Sequence, residues 1–326
     1  MQARYAALVS AVIFFATSSP AAEPTAAKSW LAPRTPDGQP DLQGVWTNAT
    51  LTPLERPKEY AAKQFLTQEE AVEFAKKELN NVDGDRRDGG SDTDVNRAYN
   101  EFWRDRGQVT ADRRTSLIID PPDGRVPALT AEARAKNAAR NADNRDHPAD
   151  GPENRSLQER CLAFNAGPPI GLGPYNNFLQ IFQSRDAVVI YTEMIHDARI
   201  VWTDGRPHAP SVFRRWLGDS RGRWEGNTLV VDTTNFTDKN PFRGAGENLH
   251  LTERFTRTDA NTLLYEFTVD DPTTFTRPWT AQLPMTKSDE RIYEYACHEG
   301  NLEVMHDILA GARATEASKS AARGLK

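Results

Sequence analysis

Apolar and polar residues alternate most regularly over residues 249–270. Leu249, Leu251 and Phe255 share one face with Leu263, Tyr265, Phe267 and Val269. The opposite face carries His250, Thr252, Arg254, Glu266, Thr268 and Asp270, with Leu264 as its one apolar residue. A period of two places successive side chains on opposite faces of a strand, so this stretch predicts a β-hairpin. A turn centred on Ala260 sets Arg254 opposite Glu266 and His250 opposite Asp270, and both pairs are complementary in charge. Similar β-branched and aromatic runs, separated by Asp, Gly and Asn turns, predict further strands at 178–183, 187–193, 199–203, 228–236, 279–285 and 292–298. Eight strands in this half suit a closed antiparallel barrel, because closure removes the exposed edges of an open sheet.

The preceding half reads differently. Thr67-Gln68-Glu69-Glu70 has the form of a capping box and opens an amphipathic stretch to Leu79, which predicts a helix. Residues 80–96 are rich in Asp, Gly and Arg and read as loop, while the Ala/Arg/Asn-rich residues 131–146 read as a solvated helix. A short apolar strand at 115–119 ends in Pro121-Pro122-Asp123-Gly124. Residues of about 60–165 therefore form a helix-and-loop insertion in a single β-rich domain, 42–326. The tail 302–318 is helix-compatible and suited to packing outside a barrel. An extended lead-in, 23–41, ends at Gly44-Val45-Trp46, and this Gly-x-Trp resembles the first-strand signature of lipocalin-like barrels.

At the N-terminus Arg4 precedes an apolar run from Ala6 to Ala16, followed by Ser18, Ser19, Pro20, Ala21 and Ala22. That is the outline of a signal peptide over residues 1–22, which implies a periplasmic or secreted protein. The run is about half of the roughly 20 residues needed to span a bilayer, and charges interrupt every later apolar run, so no membrane span is expected in the mature chain. The net charge is −6, and removal of the leader with its single charge, Arg4, makes it −7. With no basic run, nucleic acid is not an expected partner. Cys161 and Cys297 are the only cysteines, and an oxidising compartment permits one bridge between them; two buried thiols are the alternative. No Gly-rich phosphate loop is present, so no cofactor is expected.

Glu253 breaks the hairpin pattern: it lies on the apolar face, between Leu251 and Phe255. An acid there is costly to bury ionised, so either its pKa rises or a cation meets it. That makes it a candidate acid/base group, with a structural Glu bonded to a buried Arg or to backbone as the alternative. Glu193-Met194-Ile195-His196 and Asp204–His208 place two histidines twelve residues apart near strand ends, and neutral histidine carries protons near pH 7. His196, His208 and His250 are therefore candidate bases, and Arg199 or Arg254 a candidate stabiliser of negative charge. Glu-x-x-His could supply metal ligands, but that spacing needs a helix to share a face, so no metal site is predicted. Gly218-Asp219-Ser220-Arg221-Gly222 has the letters of a nucleophile elbow, yet a polar turn follows where that motif requires a helix.

Three segments together, Thr35–Trp46, Gly218–Gly226 and Leu249–Phe255, resemble a large group of exported bacterial proteins. The shared patterns are Thr-Pro-Asp-Gly…Pro-Asp-Leu-x-Gly-x-Trp, Gly-Asp-Ser-x-Gly-x-Trp-Glu-Gly and His-x-x-Glu-Arg-Phe. The resemblance implies export and a common fold, and it transfers no catalytic residue. The expected function is a cofactor-independent exported enzyme acting on a small glycoside-derived or phenolic molecule in a barrel pocket. A non-catalytic binder or carrier is the alternative, and an envelope interaction module a third.

Overall fold

A hairpin with one apolar face is stable only when that face is enclosed, and here the sheet encloses it by closing on itself. The computed structural model describes residues 30–97, 101–165 and 167–324, so the expected leader over 1–22 lies outside the described residues. The chain is mainly β. A barrel forms from β1 (Gly44–Thr47), β3 (Phe178–Gln183), β4 (Ala187–Thr192), β5 (Ala198–Trp202), β6 (Asp219–Glu225), β7 (Thr228–Thr234), β8 (His250–Arg257), β9 (Thr262–Asp270) and β10 (Trp279–Ser288). They pair in that order, and β1 pairs with β10 to close the ring. A tenth strand, β2 (Ile118–Asp120), branches from β10.

Register follows the alternation. His250 pairs with Asp270 and Arg254 with Glu266, which sends Leu251, Phe255, Leu263, Tyr265, Phe267 and Val269 into the lumen. Burying each large side chain contributes roughly 1.5–3 kcal/mol, so a one-residue slip would forfeit most of the core. Pro284 sits on β10 between the residues that pair with β2 and those that pair with β1, where its missing N–H leaves no ladder bond unmade. Pairing is antiparallel except between β5 and β6, which touch in parallel only at Trp202 and Arg221. At that corner Gly222 makes room: a Cβ there would lie 2.8 Å from Val201 and 2.9 Å from Thr203.

Two strand expectations are corrected. Residues 292–298 are not a strand, because β1 already occupies the edge of β10. Instead they cross the outside of the barrel, where Cys297 is bonded to Cys161 with Cα atoms 5.7 Å apart. Conversely, β6 runs on past Gly222, where a polar turn is expected. Its polar and glycine-rich sequence hides a strand that buries Asp219 and Ser220.

The insertion carries α1 (Gln68–Val82), opened by the expected capping box of Thr67 and Glu70, which buries Ala71 and Phe74 against Leu66. A short helix, α2 (Ser91–Arg97), forms at the end of the predicted loop, with Asp92 and Asp94 in its first turn complementing the helix dipole. Then α3 (Ala131–Asp146) begins at Thr130, whose hydroxyl accepts from Ala133 N–H. The C-terminal helix, α4 (Asn301–Gly324), leaves most of its residues exposed rather than packing on the barrel. Among the described residues no helix is long and apolar enough to cross a membrane.

Candidate binding cleft and the buried ion pair

Glu253 faces the lumen and is fully buried. It does not line the cleft described below. Arg199 reaches across from β5 and grips both carboxylate oxygens, with Nη2 to Oε1 at 3.0 Å and Nη1 on Oε2. The Tyr265 hydroxyl donates to Oε1 at 2.8 Å and itself accepts the Ile170 N–H at 2.9 Å. Burial pushes the Tyr265 hydroxyl well above the usual tyrosine range, reinforced by the Glu253 charge. Burial works against the Arg199 charge, but Glu253 outweighs it and the guanidinium is held above its ordinary value. A cation meets the buried acid: Arg199 compensates Glu253, and Tyr265 satisfies a further lone pair.

His208 and His250 come together, though on the outer wall and away from Glu253. His250 Nε2 bonds Asp232 Oδ2, and His208 Nε2 lies 2.8 Å from Asp232 Oδ1. The other ring nitrogen of His208 lies 3.1 Å from Asp219 Oδ2, which also accepts Ala209 N–H at 2.9 Å. The His208 ring is thus held between two carboxylates. Although His250 is opposite Asp270 in register, its side chain turns to Asp232 on the neighbouring strand, β7. The network ties the 204–217 loop to the barrel.

Burial tends to raise both carboxyls. For Asp232 the hydrogen bonds from His250 and His208 outweigh it, and for Asp219 the Ala209 N–H, His208 and Arg221 do, so both lie below the ordinary range. A lowered carboxylate pKa contributes stability that is present above the unfolded value and lost as pH falls through the folded one. Wild-type stability is therefore expected to drop below about pH 4. Asp232→Asn should cost about 1–3 kcal/mol at neutral pH and flatten that acid limb. Urea unfolding of both proteins across the acid range checks this; parallel curves would contradict it.

Arg254 lies outside and pairs with Glu225 at 3.0 Å, while its register partner Glu266 accepts from Gln282 Nε2 at 2.7 Å. His196 is exposed, with its ring 6.2 Å from that of His298. Glu193 is buried beside it and accepts Tyr293 N–H at 3.1 Å, so the Glu-x-x-His pair diverges. Among the described residues no group of three or more His, Cys, Asp or Glu is arranged to hold a metal ion. Ser220 stands within β6, bonded to the Thr233 hydroxyl at 3.0 Å, with no helix after it.

A cleft of about 470 Å³ opens where the insertion meets the barrel. Leu54, Leu117, Phe164, Phe242, Phe267 and Leu283 form its apolar wall. The Gly-Pro-rich stretch around Ile170 covers the lumen beneath, fixed by the Ile170–Tyr265 bond and by Asn48 Nδ2 to Gly171 carbonyl at 2.8 Å. Asp197 lines this cleft at the start of β5. Its backbone carbonyl accepts from Thr192, yet among the described residues its carboxylate accepts no hydrogen bond and meets no cation within ion-pair distance. Burial pushes that carboxyl above the usual range, partly offset by His196. The turn before it is strained: Ile195 and His196 both have positive φ, 62° and 49°, which is rare for a β-branched residue.

Asp197 is the residue that the reading of faces passed over. It follows the Glu193–His196 stretch directly, but alternation says nothing about a turn residue, and only the fold brings residues 163–165, 167–172 and 240–243 around the same cleft. Comparison with known protein families, with curated proteins and with solved structures returns no match to this chain.

Proposed function

We propose that the protein binds a small organic molecule in the cleft at the barrel mouth, with its apolar body against the aromatic wall and a hydroxyl donated to Asp197. The observation that carries this reading is a partly buried carboxyl, unpaired among the described residues, in a cleft of about 470 Å³ walled by Phe164, Phe242 and Phe267. Clefts of roughly 300–1,000 Å³ with few polar groups suit small ligands. A phenolic ring carrying one or two hydroxyls matches that balance. Export by the expected leader to a periplasmic or extracellular site belongs to the proposal, and the Cys161–Cys297 bridge supports it.

A second reading, acid/base catalysis on the same molecule, is favoured by the raised Asp197 carboxyl, which is closer than an ordinary aspartate to exchanging protons at working pH. In it Asp197 takes the part first given to Glu253, whose oxygens are occupied by Arg199 and Tyr265. The test is incubation of purified protein with a metabolite extract, followed by profiling of bound and of altered compounds. Enrichment of hydroxylated aromatic compounds, absent with Asp197→Ala, is expected. Altered compounds that depend on Asp197 would select the catalytic reading. Equal profiles for wild type and Asp197→Ala would remove the site altogether.

A further inference from the structure

Residues 211–216 are all exposed, and three of them are large apolar side chains: Val212 at 78%, Phe213 at 59% and Trp216 at 37%. The loop that carries them is held firmly. Phe213 N–H donates to Pro210 carbonyl and Arg215 N–H to Asn235 carbonyl, each at 2.9 Å. Asn235 Nδ2 donates to Ala209 carbonyl at 2.9 Å, and the His208–Asp219 contact secures the base. A fixed turn that directs aliphatic and aromatic groups outward points to something that receives them.

The charges beside them say what. Arg214 and Arg215 lie between Phe213 and Trp216. Arg214 is held by the Glu247 carbonyl at 2.7 Å, which leaves its charge uncompensated by that contact. Arg215 comes only within 3.9 Å of Asp219, which is already engaged by His208 and by Arg221 at 2.9 Å. The nearby acids are Glu247, exposed, and Asp238, paired with Lys136 at 3.0 Å. The whole chain is net negative at −6, so attraction to an anionic partner arises at this loop rather than from the protein at large. Five side chains on one turn fall well short of the roughly 800 Å² per partner that a stable protein interface buries. A bilayer interface accepts a narrow tip: Trp and Phe settle at headgroup depth, and arginine meets phosphate.

We propose that Val212–Trp216 docks the protein peripherally on an anionic lipid surface. Asn240, which lines the cleft, donates Nδ2 to the Trp216 carbonyl at 3.2 Å, so docking brings the cleft mouth beside the headgroups. The docking itself does not depend on what the cleft holds.

Vesicle flotation tests it, with phosphatidylcholine vesicles and with vesicles containing phosphatidylglycerol as a second component. Wild type, Arg214→Ser/Arg215→Ser and Phe213→Ser/Trp216→Ser are compared in the same full chain, so that any contribution of residues 1–22 is common to all. Wild type is expected to float preferentially with the anionic vesicles and to be released by salt. Removing the arginines should weaken partitioning about 25-fold, about five-fold for each. The apolar pair should also weaken it, and both double variants should remain folded at the assay temperature, which thermal unfolding of each checks. Variants that partition like wild type would overturn the proposal. So would a wild type that ignores anionic vesicles, which would leave a protein as the occupant of the loop.

Discussion

Arg199→Met is expected to lower the unfolding free energy by about 3–5 kcal/mol, because it leaves the fully buried Glu253 charge without its cation. Tyr265 cannot replace it: one hydroxyl supplies a hydrogen bond but no charge. The companion Arg199→Met/Glu253→Gln should recover most of the loss, since a neutral amide oxygen still accepts from Tyr265, which still accepts from Ile170. Denaturant midpoints for both variants decide the matter. Equal losses in the single and double variants would mean that packing, and not the uncompensated charge, sets the cost.

Loss of the Cys161–Cys297 bridge should cost a further large amount. The bridge closes a loop between residues 136 apart in sequence. On the chain-entropy view such a loop contributes about 5 kcal/mol, and removal of native bridges commonly costs about 2–5. Cys161→Ser/Cys297→Ser should therefore unfold at markedly lower denaturant. Limited proteolysis should cut it within residues 289–300, where the outer crossing loses its tether and keeps few other bonds, such as Tyr293 N–H to Glu193 and Asn301 Nδ2 to Glu159 carbonyl. Wild-type resistance in that segment would show that those bonds suffice.

The barrel was legible because its hairpins obey a strict period of two, and the 249–270 hairpin carries its own register down to Arg254 opposite Glu266. The inward face of Glu253 was legible for the same reason. Its partner was not: Arg199 is 54 residues away, and a lumen contact between β5 and β8 has no local signature. Period also misled. Residues 292–298 look like a strand, yet barrel closure by β1 denies them an edge. In β6, Gly222 is required by the close approach of Val201 and Thr203, so a strand was concealed by the residue type that marks turns. The His208–Asp232–His250 cluster joins three elements, and candidate histidines could be named without their shared carboxylate. Asp197 gave least warning, because its standing comes from what the loops around it leave unpaired.

Asp197 also separates a binding role from a structural one. A carboxyl whose folded pKa is raised binds its proton more tightly in the native state, so stability falls as pH rises from the unfolded value through the folded one. Asp197→Asn removes that burden. The most direct measurement pairs thermal unfolding of wild type and Asp197→Asn at neutral pH with calorimetric titration of the hydroxylated ligand recovered from the extract. The account predicts an unchanged or higher melting temperature together with affinity weakened about 10- to 100-fold, the loss expected for a charge-assisted hydrogen bond. It also predicts that wild-type affinity declines as pH falls through the raised Asp197 value, because the ionised oxygen is the acceptor. A lower melting temperature with affinity unchanged would make Asp197 a structural residue and contradict the account.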